Sequence, residues 1–139
     1  MKFACLVYHE QKEAISEPEL AAIVEECQGA AAWNEAMTKG GHHVFTAGLQ
    51  SVGTAKTVRN RNGQVCITDG PFAETKEGLG GFTIIEARDL NEAIELVSKF
   101  PARLTSVEVR PIMDPSAELT DPGDRMVVAA IQRASQPRL

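Results

Sequence analysis

The sequence is poor in cysteine, in aromatic residues and in cationic charge, and each shortage excludes a class of protein. It has 3 cysteines, 5% aromatic residues, and 14 Lys and Arg against 19 Asp and Glu, which gives a net charge of -5. Nucleic acids and anionic membranes repel such an acidic chain, so we expect neither as a partner. Cys5, Cys27 and Cys66 form an odd set without the spacing of a zinc site. We therefore expect no disulfide framework and no metal, and a reducing cytoplasm is the simplest location.

Long apolar runs and cofactor-binding motifs are also missing. The first apolar run, residues 3–8, is too short to span a bilayer or to act as a signal peptide. The sequence contains no phosphate-binding loop, no dinucleotide-binding glycine pattern and no nucleophile elbow. His42 and His43 are adjacent at a predicted strand start, so their side chains point to opposite faces and cannot bind one metal together. We expect no cofactor.

What is present is a chain of one domain's length with clear periodicity. Ser16 and Glu19 form a capping box before one helix, which Gly40 and Gly41 end, and Asp89 begins a second helix. Asn62-Gly63 between two apolar alternations predicts a type I′ hairpin turn. Strands are predicted at residues 2–9, 44–49, 54–60, 64–68, 81–87 and 106–112.

This order, β-α-β, an inserted hairpin and a second β-α-β, predicts the α+β class. Two such units in one small domain favour a ferredoxin-like split β-α-β arrangement, an antiparallel sheet with both helices on one face. The other face then carries too much apolar surface for water, because Leu6, Tyr8, Val44 and Ile85, or their alternates, point there. A second copy of the chain is the simplest cover. We therefore predict a homodimer with a cavity between two paired sheets.

The chain changes character after residue 113. Asp114-Pro115 and Asp121-Pro-Gly123 are linker-like, so the prediction is a domain at residues 1–113 and a C-terminal extension at 114–139. The short apolar run from Met126 to Ile131 fits an edge strand, a short helix or an arm onto a neighbour. The last residues, Ser135 to Leu139, are expected to be frayed.

The stretch Asp69-Gly-Pro-Phe-Ala-Glu-Thr-Lys-Glu77 is the first candidate for a functional site. Its first residues form a turn, but a turn does not need the ionisable groups that follow, and functional groups often lie on such loops. Asp69, partly buried in a cleft, would be a candidate general base. The alternative, that its carboxylate only caps the turn by accepting backbone N–H bonds, is favoured because Asp before Gly and Pro does this routinely.

Further side chains are candidates for ligand binding. Arg110 points to the sheet face opposite Val107 and Val109, where it either clamps an anion or pairs with Glu108 and the acidic loop. Six more residues could bind a ligand, and each could instead have only a structural role, as a solvated charge, a loop anchor, a strand cap or a surface histidine. They are Gln50, Phe72, Tyr8, His9, Lys76 and Glu74.

Three segments resemble the DGPF branch of the YCII-related proteins, which are bacterial proteins with mostly unassigned roles. They are Gly48-Leu-Gln50 leading into residues 54–59, Asp69 to Phe82, and Val107-Glu-Val-Arg-Pro111. The resemblance covers residues 1–113 and implies a dimeric α/β-barrel with a cleft. More distant relatives resemble enzymes with a His-Asp pair on the first helix, but Cys27 and Lys39 stand at those positions here. That pair is therefore not carried over.

Two hypotheses about function follow. The first is a cofactor-independent enzyme of the lyase or isomerase type that acts on a small polar or aromatic metabolite, with Asp69 as acid and base and Arg110 as anion clamp. The alternative is a non-catalytic regulatory module that binds a ligand or a protein, since the family resembles proteins associated with regulatory factors. The ionisable loop favours the enzyme, and the missing His-Asp pair favours the module.

Overall fold

The computed structural model describes residues 1–116 and 119–136. It is of the α+β class, as predicted. The strands are β1 (Lys2–Glu10), β2 (His43–Gly48), β3 (Lys56–Arg61), β4 (Gln64–Asp69), β5 (Glu77–Glu86) and β6 (Thr105–Pro111). The helices are α1 (Glu17–Lys39), α2 (Leu90–Val97) and α3 (Pro122–Ala134), and a short 3-10 helix spans Val52–Thr54.

Four strands form the main sheet in the order β2-β5-β1-β6, and every neighbouring pair is antiparallel. Strands β1 and β5 occupy the centre of this sheet. One face of the sheet packs against α1 and α2. The core there consists of Phe3, Cys5, Trp33, Met37, Ile85, Ala87, Ala93 and Val97.

The two packed helices begin where their capping residues lie. Ser16 accepts a hydrogen bond from the backbone N–H of Glu19, whose carboxylate accepts one from the N–H of Ser16, so the predicted capping box is confirmed. Asp89 caps α2 in the same way through the N–H of Glu92. Trp33 then joins the helices, because its indole N–H donates to the Leu96 carbonyl at 3.0 Å.

The opposite face of the main sheet, called here the open face, is not covered by α1 or α2. Side chains alternate along a strand, so Leu6 and Tyr8 point there while Phe3 and Cys5 point into the core. At the Ile85 position the alternate residue takes this face: Ile85 is fully buried in the core, and Ile84 points to the open face.

A second shift on the open face comes from an irregularity in β2. The register of β2 with β5 slips between His43 and Phe45, which places Val44 in the bulge. Phe45 therefore takes the open-face position, and its ring lies 6.0 Å from that of Phe82. Phe45 is 54% exposed in the single chain. A bulge inserts an extra residue, so simple alternation along the sequence could not assign this face.

Strands β3 and β4 form a separate two-stranded sheet, called here the hairpin. Its register runs from Lys56 opposite Asp69 to Arg61 opposite Gln64. Asn62 has φ 54° and Gly63 has φ 79°, so the predicted turn with positive φ at both positions is confirmed.

The apolar run near the C-terminus forms a helix, which is one of the three structures that its pattern allowed. Asp121 caps α3, and Val128 on this helix is buried. Val128 and Ile131 lie beside Met113 and Pro115 in the segment after β6. The proposed boundary after residue 113 stays a prediction. The expected fraying concerns residues 135–139, of which 137–139 lie outside the described residues.

We predict that Gly63→Val destabilises the hairpin. A β-branched residue at φ 79° is strained by about 1 kcal/mol or more, so protection of the β3 and β4 amides against hydrogen exchange should fall roughly fivefold. The matched control is Gly48→Val, since Gly48 has no positive φ and nothing within 4 Å of its added Cβ. Equal amide protection in the two variants would contradict the assigned turn.

Candidate functional site

A cleft of about 760 Å³ opens on the side of the sheet that bears Tyr8. It is called here the open cleft, and its lining residues come from three strands that pair side by side. Tyr8 and Glu10 lie at the end of β1, and Glu108 lies on β6 beside Leu6. Thr75, Lys76 and Glu77 precede or begin β5, which pairs with β1 on its other edge. The cleft therefore depends on the antiparallel register of β1 with both neighbours.

The charge in the open cleft is mainly negative. Glu10, Glu77 and Glu108 contribute carboxylates, Lys76 contributes one ammonium group, and half-buried Tyr8 contributes a phenol. Such a set can bind a cationic group by charge and can place an aromatic or cationic group against the Tyr8 ring. It provides polar groups for orientation and an apolar surface for contact, as small-molecule sites usually do.

Arg110 lies on the open face, as its alternation with Val107 and Val109 predicted. Its guanidinium donates to the Glu108 carboxylate at 2.8 Å, and this hydrogen bond and charge raise the pKa of Arg110. Both side chains are exposed in the single chain. Of the two interpretations of Arg110, the structure shows the pair with Glu108, so an anion would have to compete with that carboxylate.

Glycines at the start of β5 shape the sheet beside the cleft. The register with β1 slips between Val7 and Tyr8, and Gly80 is the extra residue. The His9 ring lies so close to Gly80 that an added Cβ would collide with it. Because His9 follows Tyr8 in the strand, its side chain points to the opposite face, and it does not line the open cleft.

The loop that begins with Asp69 lies beside the hairpin. Thr57 donates its hydroxyl to the Gly70 carbonyl at 2.8 Å, and the Gly70 N–H donates to Ala55 at 2.7 Å. The Asp69 carboxylate pairs with the Lys56 ammonium and is 88% exposed. In the single chain Asp69 is thus not buried in a cleft, as a general base would be. Among the described contacts its carboxylate also accepts no hydrogen bond from a backbone N–H, so it does not cap the turn.

The remaining predicted residues separate into two groups. Lys76 lines the open cleft together with Tyr8. Phe72 is 78% exposed, so it does not anchor the loop in the core of its own chain. Glu74 and Gln50 are exposed and lie outside the lining of the cleft.

Several lining residues were not among the ligand candidates from sequence. They are Glu10, Thr75, Glu77 and Glu108. Alternation from Leu6 and Tyr8 carries a signal for Glu10, because residues two apart in a strand share a face. For Thr75 and Glu77 the sequence carried no signal except that both belong to the charged loop. Their position in the cleft depends on the pairing of β5 with β1.

A polar network on the helix-covered side joins α1 to the sheet. The Thr46 hydroxyl lies 3.1 Å from both Asn34 Oδ1 and Thr83 Oγ1, and His43 Nε2 lies 2.8 Å from Thr46 Oγ1. Thr83 is the buried polar residue of the sheet, and these contacts satisfy its hydroxyl. The network therefore has a structural role in positioning β2 against α1.

The described part of the chain contains no clustered metal ligands, and the Cys5 thiol is buried. Within residues 1–116 and 119–136, no group of three or more His, Cys, Asp and Glu side chains is arranged to hold a metal ion. Cys5 is buried in the core, and burial raises its pKa to about 11. Its thiol is thus protonated at neutral pH and is an unsuitable nucleophile.

The profile of the YCII-related domain matches residues 1–116, so the chain belongs to the YCII-related family. It is also similar to an uncharacterized protein of Rhizobium meliloti (strain 1021), with 43% identity over 61 residues. That alignment covers 42% of this chain and 49% of the relative, so it spans about half of the relative's length. Among the described helices, none has the length and apolarity needed to cross a bilayer.

We predict that Cys5 resists alkylation in the native protein while Cys27 reacts. With a pKa of about 11, roughly one Cys5 thiol in a thousand is ionised at pH 8, and reactivity should rise as the pH approaches 11. Cys27 is exposed and is the internal control. Peptide mass spectrometry after iodoacetamide treatment measures both rates, and equal rates would show that β1 is not buried as described.

Proposed function

We propose that this chain forms a homodimer whose paired sheets close the open cleft around a small polar or aromatic metabolite. The observation that carries the proposal is the open cleft itself, in which a phenol, three carboxylates and an ammonium group converge beside an apolar sheet face. The same proposal assigns the chain to the DGPF branch of its family and to the cytoplasm. It also retains residues 1–113 as the domain and 114–139 as an extension.

The dimer follows from the two faces of the main sheet. Strand order β2-β5-β1-β6 with α1 and α2 on one side supports a ferredoxin-like split β-α-β arrangement. Apolar side chains on the open face, among them Leu6, Phe45, Phe82 and Ile84, are left without that cover. Two such faces brought together would form a dimeric α/β-barrel and remove this surface from water.

The ligand class follows from the charges in the cleft. Because Arg110 pairs with Glu108, the carboxylates of Glu10 and Glu77 stand against one ammonium group, and they favour a ligand that carries an amine or another cationic group. Lys76 would bind a carboxylate on the same ligand, so zwitterionic metabolites fit as well. Arg110 contributes by holding Glu108 in place through their 2.8 Å hydrogen bond. This assignment replaces the anion clamp as the main role proposed for Arg110.

Ligand binding has more support than catalysis. Each carboxylate of the cleft, and Asp69 as well, is exposed in the single chain, whereas acid-base catalysts usually lie in desolvated positions. The first candidate function is therefore a ligand-binding regulatory module. A lyase or isomerase-type enzyme is the second candidate, favoured by Tyr8 and Glu77, which would exchange protons with a ligand once a second sheet excludes water.

We predict that Phe45→Lys converts the protein from dimer to monomer. The parent should show about twice the chain mass of 15.0 kDa in light scattering at micromolar concentration. A charge at position 45 cannot be buried unpaired between two sheets, so the variant should show the single-chain mass. Leu20→Lys is the matched control, since Leu20 is 52% exposed on α1. A monomeric parent, or a dimeric Phe45→Lys variant, would contradict the paired-sheet proposal.

We also predict that amines bind the open cleft more tightly than carboxylic acids of equal size. A panel of small amines, zwitterions and acids should shift the NMR signals of Tyr8 and Lys76 in that order of preference. Glu77→Gln should weaken amine binding about tenfold, because one charged hydrogen bond contributes about 1.5 kcal/mol. Glu95→Gln on α2 serves as the control. Preferential binding of simple acids would overturn the ligand class.

A further inference from the structure

The hairpin projects from the fold without support from the core. Its strands β3 and β4 pair only with each other, and the hydrophobic core contains no residue of residues 56–69. A two-stranded ribbon is marginally stable by itself in water. Yet the sequence specifies this ribbon closely, with six paired positions and a turn in which both Asn62 and Gly63 take positive φ. A packing partner would stabilise such a ribbon.

One face of the hairpin carries an apolar row, which consists of Val58, Val65 and Ile67. Val58 lies opposite Ile67 in the register. Val65 precedes Ile67 by two residues on the same strand, so all three side chains share one face. They are 63%, 63% and 64% exposed. The other face is contacted by the chain itself, because Thr57 and Arg59 donate to carbonyls of the loop after Asp69. The apolar row is therefore an exposed hydrophobic surface that the chain itself does not cover.

The charges of the hairpin complement those of the open cleft. The hairpin carries Lys56, Arg59 and Arg61 against the single carboxylate of Asp69, in a chain with a net charge of -5. Lys56 is paired with Asp69. Arg61 alternates with Arg59 and so belongs to the hairpin face opposite the apolar row, but it lies next to the turn, at the tip of the hairpin. It has no ion pair among the described residues, and the same holds for Glu10 and Glu77 in the cleft. Within residues 1–116 and 119–136, the cationic tip and two of the three carboxylates of the cleft thus have no ion-pair partner.

We propose that in the homodimer the hairpin of one protomer is an arm that reaches the second copy, where its apolar row packs along the edge of the partner's open face, beside the paired sheets, and Arg61 at its tip meets the carboxylates of the partner's open cleft. The inference rests on the homodimer proposed above. A second copy is the occupant that offers both an apolar sheet face and an acidic cleft, and two-fold symmetry would satisfy both arms and both clefts at once. Six residues per strand give the arm a reach of about 20 Å.

The arm makes each ligand site composite. The partner's Arg61 would contact the carboxylates at the rim of the open cleft, which the paired sheets close, and would neutralise part of its negative charge. Ligand affinity would then depend on the partner subunit, and a monomer would contain an incomplete site.

Carbodiimide cross-linking of Arg61→Lys tests the arm directly. The reagent joins amines to carboxylates in contact, and arginine does not react, so the parent protein is the negative control. Dimers mixed from light and heavy isotope-labelled chains separate links within a chain from links between chains. Lys56 and Asp69 of one chain are the internal control, since they form an ion pair. We expect links between position 61 of one chain and Glu10, Glu77 or Glu108 of the other.

The outcomes distinguish this inference from the proposed dimer. A dimeric mass with position 61 linked only within its own chain, or not linked, would overturn the arm and leave the homodimer standing. A monomeric mass in light scattering would overturn both.

Substitutions in the apolar row provide a second measurement. The double substitution Val58→Thr and Ile67→Thr retains β-branched side chains at two exposed positions, so the subunit should fold as before. The dissociation constant of the dimer should rise about tenfold or more, since apolar contacts at the centre of an interface carry much of its affinity. Cys66→Thr, on the other face, is the matched control. An unchanged dissociation constant would overturn the arm.

Discussion

The structure depends on the one-sided burial of its four-stranded sheet. Phe3, Cys5 and Ile85 point from the two central strands into a core that α1 and α2 cover, and Trp33 joins those helices by its bond to Leu96. Because side chains alternate along each strand, burying these residues commits their neighbours Leu6, Phe82 and Ile84 to the other face. The fold thus creates one finished core and one apolar surface with no cover from α1 or α2.

The position of the open cleft is a consequence of the same register. Strand β1 pairs with β5 on one edge and β6 on the other, so its end brings Tyr8 and Glu10 between Glu77 and Glu108. The bulge at Gly80 lets the His9 ring lie against the backbone of β5 on the opposite face. Tyr8 and His9, neighbours in sequence, are separated by the sheet, and only Tyr8 contributes to the cleft.

The proposed function places all of these features in one assembly. The family profile covers residues 1–116, the part of the chain that contains the sheet, the hairpin and the cleft. Cys27 and Lys39 stand where the resembled enzymes carry an acid-base pair, and the carboxylates of the cleft are exposed in the single chain. A ligand-binding role therefore agrees better with the residues present than a catalytic one. Closure of the cleft by a second copy would be what turns this exposed cluster into a site.

The sequence by itself determined the local structure of this protein. Ser16 with Glu19, Asp89, and Asn62-Gly63 identified the helix starts and the hairpin turn because capping and turn formation depend on residues close together in the chain. It also indicated the α+β class and the open-face position of Arg110, since strand alternation is a local property. Tertiary structure decided the rest. The bulges at Val44 and Gly80, the exposure of Asp69 and Phe72, and the lining of the cleft by Glu77 all depend on how distant strands pair, and side-chain patterns along one strand carry no information about that register.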